Sequence, residues 1–300
     1  MDKINLYKEL KDFNISFYKD WDVSKYSNFK IGGKINALIE VNKISQIIDV
    51  VKILNKYKKK YFVIGNLTNV LVKDGKLDYF FIRLKGDFEK ILYNSKRVVF
   101  AGAGVSNEKL LNYMAKNELG GLTFLAGIPG TIGGAIYMNA GAYGKYIGDF
   151  INNILIIDKN GEFKILPNKN IFSYRSSIFQ KNKSIVLGSE IRVYKTKKEK
   201  ILSEIRNILA IRHAKHPWNA ACAGSFFKNT KKFPAGMLIE DCGLKGFAVG
   251  DAAISKMHAN FIINKGKAKF NDVMRLSKIV RDKVYKKFKI KLKEEVIIIK

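Results

Sequence analysis

The run Gly127–Gly144, GIPGTIGGAIYMNAGAYG, constrains this chain more than any other stretch. Six of its eighteen residues are Gly, and it carries no charge in a chain where 27% of residues are charged. Glycine weakens the interiors of helices and strands. Such a density is expected where the backbone must turn with positive φ or approach another group closely. Pro129-Gly130 reads as a turn, and the lack of bulk at Gly133, Gly134, Gly141 and Ala142 lets backbone N–H groups lie directly against a ligand. Two readings stay open: an uncharged cradle for a large planar cofactor with a pyrophosphate, or a buried, tightly turned crossing between two sheets.

The segments before the run alternate. A strand is predicted at Ile35–Val41 and a helix at Ser45–Tyr57, where Ile47, Ile48, Val51 and Leu54 recur at helical spacing. A strand at Tyr61–Ile64 leads into the polar loop Gly65-Asn66-Leu67-Thr68-Asn69. Short strands follow at Val70–Val72 and Tyr79–Leu84, separated by the turn signal Asp74-Gly75. A polar loop at the end of a strand in β-α-β order is a good place for phosphate. Residues 1–25 form a lead-in, helical at Asn5–Asp12. A second block starts near Lys85, with a strand at Val98–Ala101, a tight turn at Gly102–Gly104 and a helix capped by Ser106 that runs to about Asn117. Gly102-x-Gly104 is no dinucleotide fingerprint, because position 107 is Asn.

Beyond the run, Lys159-Asn160-Gly161 turns a hairpin between Ile151–Asp158 and Glu162–Leu166. A strand at Ile185–Tyr194 closes the block. After a basic linker, Lys195–Lys200, helices are expected at Lys200–Ile211, Ala235–Asp241 and Asn271–Phe288. The last of these carries Val273, Leu276, Val280 and Val284 on one face. Strands are expected at Ala252–Ile254, Phe261–Asn264 and Leu292–Ile299.

The 300 residues, 47% of them hydrophobic, suit two or three domains or subdomains. No apolar run reaches the about 18 residues of a membrane span, and MDKINLYKELKDF lacks a signal-peptide core, so a cytoplasmic protein is expected. The net charge of +29 comes from 47 Lys and 8 Arg spread along the chain. A nucleic-acid surface concentrates Arg and aromatics in a stripe, so that function class is set aside; the charge can still steer anionic ligands. Cys222 and Cys242 form no disulfide framework and, with His213, His216 and His258, no zinc pattern. No metal is expected, and a reducing compartment is the simple reading.

Arg175 is an Arg retained in a Lys-rich chain, which points to use of its planar fork on a carboxylate, or to a structural ion pair. Ser225, between Gly224 and two Phe, is an exposed hydroxyl at a tight turn or a plain turn residue; G-x-S-x-G is missing around it. Glu295 sits in an apolar terminal segment, where a carboxylate is paired, functional or turned to solvent by alternation. Lys215 and Asn229 add a point charge and polar donors, and His258 is a polar contact or a core histidine.

These pieces, in this order from about Asn28 to the C-terminus, resemble the UDP-N-acetylenolpyruvoylglucosamine reductase (MurB) family. The most specific segments are GIPGTIGGAIYMNAGAYG, SYRSSIF at Ser173–Phe179, GSFFKN at Gly224–Asn229 and AGMLIEDCGLKG at Ala235–Gly246. HANFIIN at His258–Asn264 and LKEEV at Leu292–Val296 also match. The resemblance implies an α+β fold: an FAD-binding domain of the vanillyl-alcohol oxidase (PCMH) type over residues 26–197, in subdomains of about 26–84 and 85–197. A substrate-binding domain over 198–300 would follow, its last strand returning toward the active site. It implies non-covalent FAD on Gly65, Asn66, Leu67, Thr68 and Asn69, and on Gly127, Ile128, Pro129, Gly130, Thr131, Gly133, Gly134, Gly141 and Ala142. The family's usual Gly-x-Gly-Ser-Asn here has Leu67 for the second Gly and Thr68 for Ser, and Thr230 replaces the Pro that usually follows Asn229.

By the same resemblance Ser225 is the proton donor, Arg175 and Glu295 polarise the enolpyruvyl group, and Tyr174, Lys215, Asn229 and His258 contact the substrate. The implied reaction reduces UDP-N-acetylglucosamine enolpyruvate to UDP-N-acetylmuramate for peptidoglycan, with NADPH as reductant and hydride delivery from flavin N5. The chain lacks the tyrosine-bearing insertion of the longer subtype and resembles the shorter one. The rival expectations are another FAD-dependent oxidase or dehydrogenase of the same fold, and a basic nucleic-acid-binding protein. No protein partner and no membrane insertion are expected.

Overall fold

The computed structural model describes residues 2–94 and 96–300. Met1, the first residue of the expected lead-in, and Ser95, in the expected second block, lie outside the described residues. The chain packs as two units assembled from separated segments: Met1–Lys19, Asn36–Gly65 and Asp78–Leu209 in the first, Asp20–Ile35, Asn66–Leu77 and Ala210–Lys300 in the second. Each has its own hydrophobic core.

The first unit holds most of a four-stranded sheet in the order Ser16–Asp22, Lys34–Val41, Lys76–Leu84, Lys60–Ile64, with the last two strands parallel. The helix Ile44–Lys56 buries Ile47, Val50, Val51, Ile53 and Leu54, the face its periodicity predicts. A five-stranded antiparallel sheet follows in the order Phe163–Pro167, Ile151–Ile157, Ile185–Arg192, Val98–Gly102, Ile91–Tyr93. The predicted hairpin is present, with Ile157 opposite Phe163. Ser106 caps the helix Asn107–Lys116 by accepting the Lys109 N–H at 3.1 Å.

The second unit is a four-stranded antiparallel sheet, Ala221–Ser225, Phe261–Asn264, Ala252–Ile254, Ala248–Val249, with the helices Ala235–Asp241 and Phe270–Phe288. On the longer helix Val273, Leu276, Val280 and Val284 are fully buried. Each such side chain contributes about 1.5–3 kcal/mol on burial.

Four expectations are corrected. The lead-in contains the strand Ser16–Asp22 as well as its helix, Asp2–Asp12. The linker expected at Lys195–Lys200 gives way at Lys198 to a helix, Lys198–Lys215, that outruns the expected Lys200–Ile211 at both ends; its last turn collects Arg212, His213 and Lys215 at the negative end of the dipole before Pro217 stops it. The Gly-rich run contains a helix, Ile132–Met138. The terminal strand is confined to Ile297–Ile299, parallel to Val70–Val72. Residues before it meet the chain at 226–228 through separate bonds instead of a ladder: Glu295 N–H donates to Phe226 C=O at 2.8 Å, and Lys228 N–H to Lys293 C=O at 2.8 Å.

Candidate functional site

In the first unit the Gly-rich run is a loop, a helix and a hairpin in succession. Gly127 (φ 71°) and Gly130 (φ 130°) take the left-handed backbone their residue type permits. Thr131 then caps the helix Ile132–Met138, its Oγ1 accepting the Gly134 N–H at 3.3 Å. The loop is tied down by Asn107, whose Nδ2 donates to Ile128 C=O at 2.9 Å and whose N–H donates to Gly130 C=O at 3.1 Å. Asn107 is buried, and its Oδ1 has no hydrogen-bond partner among the described residues. A buried acceptor of this kind is satisfied by a ligand hydroxyl or N–H, or by water.

The small residues of the run do different work. A Cβ on Gly133 would stand 2.9 Å from the Ala103 Cβ, and one on Gly141 2.4 Å from the Lys145 carbonyl oxygen. The protein's own atoms account for the smallness of both. A Cβ on Gly134 would meet nothing nearer than Thr131 Oγ1 at 3.7 Å, so its flank is open. An uncharged loop with an open glycine flank and a buried spare acceptor fits a planar, anionic dinucleotide such as FAD.

The end of the helix within the run supports Arg175. Arg175 and Tyr174 form the two-residue turn of a small hairpin in which Ser173 pairs with Ser176. Asn139, buried and left-handed at φ 46° just after the helix, donates from Nδ2 to Ser173 C=O at 2.9 Å and accepts the Gly148 N–H at 3.1 Å. Ser177 Oγ and Gln180 Nε2 both donate to Tyr137 C=O, at 2.7 and 2.9 Å. Arg175 therefore rests on Tyr137–Asn139, its guanidinium carbon 5.5 Å from the Tyr174 ring. Its own φ is 51°. Sequence reasoning did not single out Asn139, whose partner is 34 residues away.

In the second unit Ser225 ends the strand Ala221–Ser225, after a register shift from Cys222 that Gly224 absorbs at φ 75°. It is half-buried. The next residues are fixed from outside by Asn260. Buried Asn260 accepts the Phe227 N–H at 2.9 Å, donates to the Phe227 C=O at 2.8 Å, and accepts the Phe226 N–H on its own carbonyl at 2.7 Å. Glu295 docks its N–H on Phe226, so Ser225 and Glu295 are held on adjoining backbone. The neighbouring Glu294 is the structural carboxylate: it accepts from Ser277 Oγ at 3.2 Å and lies 3.2 Å from Arg281.

Asn69 joins this assembly, its Nδ2 donating to Glu295 C=O at 3.4 Å and its C=O accepting the Ile297 N–H at 3.0 Å. Leu67, two residues earlier, is 4% exposed with φ 51°, and its carbonyl accepts the Asn28 N–H at 3.2 Å. Leu67 thus keeps the left-handed backbone that a Gly would take. Asn229 Oδ1 accepts the Ala235 N–H at 2.9 Å and so caps the helix Ala235–Asp241. Thr230 Oγ1 donates to Phe233 C=O and accepts its N–H, both at 2.8 Å, closing the intervening turn. Lys215 is exposed at its helix end.

His258 Nδ1 accepts the Asn260 N–H at 3.1 Å, which leaves the ring proton on Nε2. Burial pushes its pKa below the ordinary histidine value, and Lys245 adds to the shift. His258 needs room: a Cβ on Gly236 would stand 2.9 Å from its Cε1. His216, packed on His258 and Phe261, is lowered to about 4 by burial first and then by Arg212, His258 and Lys215.

The expected site residues are divided between the units. Gly65, the Gly-rich run, Tyr174 and Arg175 lie in the first; Asn66–Asn69, Lys215, Ser225, Asn229, His258 and Glu295 lie in the second. Among the described residues no group of three or more His, Cys, Asp or Glu is placed to hold a metal ion, and no helix is long and apolar enough to cross a membrane.

Comparison with known proteins gives two family matches. Residues 35–166 match an FAD binding domain, and residues 216–299 match the UDP-N-acetylenolpyruvoylglucosamine reductase C-terminal domain. The chain is 36% identical over 297 residues to the UDP-N-acetylenolpyruvoylglucosamine reductase of Anoxybacillus flavithermus, covering 98% of each chain. It is similar to the crystal structure of UDP-N-acetylenolpyruvylglucosamine reductase from Thermus caldophilus, with TM-score 0.81, 30% identity and coverage of 95% of this chain and 99% of that one. A more distant likeness, TM-score 0.51 at 14% identity over 64% of this chain and 44% of the other, is to Phl p 4.0202, a glucose dehydrogenase; it concerns the fold alone.

Proposed function

We propose, from the premise that the chain belongs to the UDP-N-acetylenolpyruvoylglucosamine reductase family, that Ser225, Arg175 and Glu295 carry out the protein's share of the reduction. The enzyme is an FAD-dependent oxidoreductase of peptidoglycan precursor synthesis, with NADPH as reductant and the enolpyruvyl ether of a UDP-sugar as substrate. FAD, when bound, supplies the hydride that the substrate's methylene carbon receives.

As the methylene carbon is reduced, negative charge grows on the adjacent carbon and its carboxylate. Arg175 offsets that charge with a planar guanidinium. The Ser225 hydroxyl gives its proton to the adjacent carbon and completes the addition. Glu295, in protonated form or through a water, hydrogen-bonds the enolpyruvyl group and steadies the developing enolate. Gly65–Asn69 and the Gly127–Ala142 positions hold FAD without a covalent bond, and Tyr174, Lys215, Asn229 and His258 contact the UDP-sugar. The reading includes division of the chain into an FAD domain over 26–197 and a substrate domain over 198–300, and action in the cytoplasm without membrane insertion or an obligatory protein partner.

The observation that supports this reading best is the backbone bond from Glu295 N–H to Phe226 C=O, which ties the main chain of Glu295 to the residue after Ser225, beside a glycine-made bulge. The test is a pair of half-reactions on Ser225→Ala. Flavin reduction by NADPH should proceed at the wild-type rate, while reoxidation by the enolpyruvyl substrate slows by roughly 10²–10⁴-fold. Equal loss of both half-reactions rejects the proton-donor role.

A further inference from the structure

The seven-residue helix Ile132–Met138 joins two parts of the candidate site. Its start, at Thr131–Gly134, borders the open flank of the Gly-rich loop; its end supports the Arg175 turn. A helix leaves its last carbonyls without partners inside the helix. Here Ala135 C=O accepts the Ala140 N–H at 2.8 Å and Ile136 C=O accepts the Asn139 N–H at 3.2 Å. Tyr137 C=O is taken by two side chains from beyond the Arg175 turn, Ser177 Oγ at 2.7 Å and Gln180 Nε2 at 2.9 Å.

Gln180 reaches further than that carbonyl. Its Nε2 also lies 3.5 Å from Arg175 C=O and 3.6 Å from Met138 Sδ, and its Oε1 accepts from Ser176 Oγ at 3.3 Å. A carboxamide has two N–H donors and one carbonyl acceptor, and each faces a matching group here. Turned over, the amide would set its oxygen against two carbonyl oxygens, so its orientation is fixed. Phe179, 2% exposed, anchors the short helix Phe179–Asn182 that presents Gln180.

Both carbonyls that Gln180 Nε2 faces are main chain, one at the end of the helix and one on Arg175 itself. Arg175 stands at φ 51°, a conformation that costs an L residue of order 1 kcal/mol and persists only where its surroundings hold it. The pairing of Ser173 with Ser176 closes the hairpin on either side of the turn, whereas Gln180 bears on the turn residue. We propose that Gln180 is a positioning residue for enolpyruvate reduction: it sets the Arg175 guanidinium by tying the Arg175 main chain to the helix whose other end borders the FAD loop. The inference rests on the role of Arg175 given above. At 1.5 Å per residue the helix is a strut about 10 Å long. A displacement of about 1 Å at a charge-stabilising group costs up to about a hundredfold in rate.

The experiment compares flavin-loaded wild type with Gln180→Leu, Gln180→Glu and Arg175→Ala, and with each Gln180 variant combined with Arg175→Ala, following the two half-reactions separately. Leu keeps the bulk of Gln180 and removes its donors; Glu keeps the shape and turns a carboxylate oxygen toward the two carbonyls. Flavin content and melting temperature serve as folding controls, and either Gln180 variant carries the test where the other loses flavin. Each should reduce its flavin with NADPH within about twofold of wild type and slow reoxidation by UDP-N-acetylglucosamine enolpyruvate by about tenfold to a hundredfold. Added to Arg175→Ala, the same substitutions should change reoxidation by less than about twofold, because a group acting through Arg175 then has nothing to act on. Equal slowing of both half-reactions, or a full Gln180 effect in the Arg175→Ala background, would overturn the proposal. A slow Arg175→Ala beside Gln180 variants that reoxidise at the wild-type rate removes the role of Gln180 and leaves that of Arg175. Arg175→Ala at the wild-type rate removes both.

Discussion

At the scale of single residues, two of the expected site side chains stand on backbone that favours glycine: Arg175 and Leu67, each at φ 51°. Arg175 stands at the second position of a two-residue turn, where a positive φ costs an L residue of order 1 kcal/mol. We predict that Arg175→Gly melts no lower than wild type while losing enolpyruvate reduction; a lower melting temperature would show that the turn is not strained. Leu67 is different, because its side chain is buried. Removing it relieves about 1 kcal/mol of backbone strain but forfeits about 1.5–3 kcal/mol of burial, so burial wins. Leu67→Gly should destabilise by about 1 kcal/mol, read as a lower urea midpoint with unchanged slope. Arg175 and Leu67 were both legible in the sequence, one as a retained Arg and one as a departure from a motif. Asn139 and Asn260 were not, because their roles lie in partners 34 and 33 residues away. Asn260→Ala should cost several kcal/mol by leaving the buried Phe227 N–H and C=O unpaired, at about 1–3 kcal/mol each, and chemical denaturation would show it.

At the scale of elements, the Gly-rich run is a sequence of parts with separate duties. Its loop and helix start leave an open flank at Gly134 and a spare acceptor on Asn107; Tyr137–Asn139, where its helix ends, carry the Arg175 hairpin. Glycine density was legible as a demand for closeness, but what approaches each glycine was not, since that depends on Ala103 and Lys145 arriving from other elements. The prediction follows the split. Gly133→Val should damage folding through its collision with Ala103, whereas Gly134→Val should give folded protein lacking FAD. Full flavin content in Gly134→Val would assign the run to packing. The helix Phe270–Phe288 was readable almost to the residue because one strip of four apolar positions decides it. The terminal strand was overextended because an apolar run does not reveal where ladder pairing stops.

At the scale of the whole molecule, the α+β architecture and the FAD-binding domain that the resemblance implied agree with the matched FAD binding domain and with the Thermus caldophilus reductase structure. The interleaving of segments 20–35 and 66–77 with the C-terminal unit was invisible in the sequence, because no composition change marks those boundaries. Stability should also respond to acid through His216. Its folded pKa of about 4 lies below the ordinary 6.5, so the unfolded chain binds the extra proton. Stability is then fully present above pH 6.5 and falls as pH drops from there toward 4. Thermal melts across that window should flatten in His216→Gln; an unchanged slope would remove His216 from the account.

The central claim is that this chain passes reducing equivalents from NADPH to a UDP-linked enolpyruvyl ether through bound FAD. Its most direct test is the visible spectrum of the purified protein under anaerobic conditions. The account predicts a flavin band that bleaches on adding NADPH and returns on adding UDP-N-acetylglucosamine enolpyruvate, with one substrate consumed per flavin reoxidised. A reduced flavin that ignores the enolpyruvyl substrate and recovers only on admitting air would contradict it.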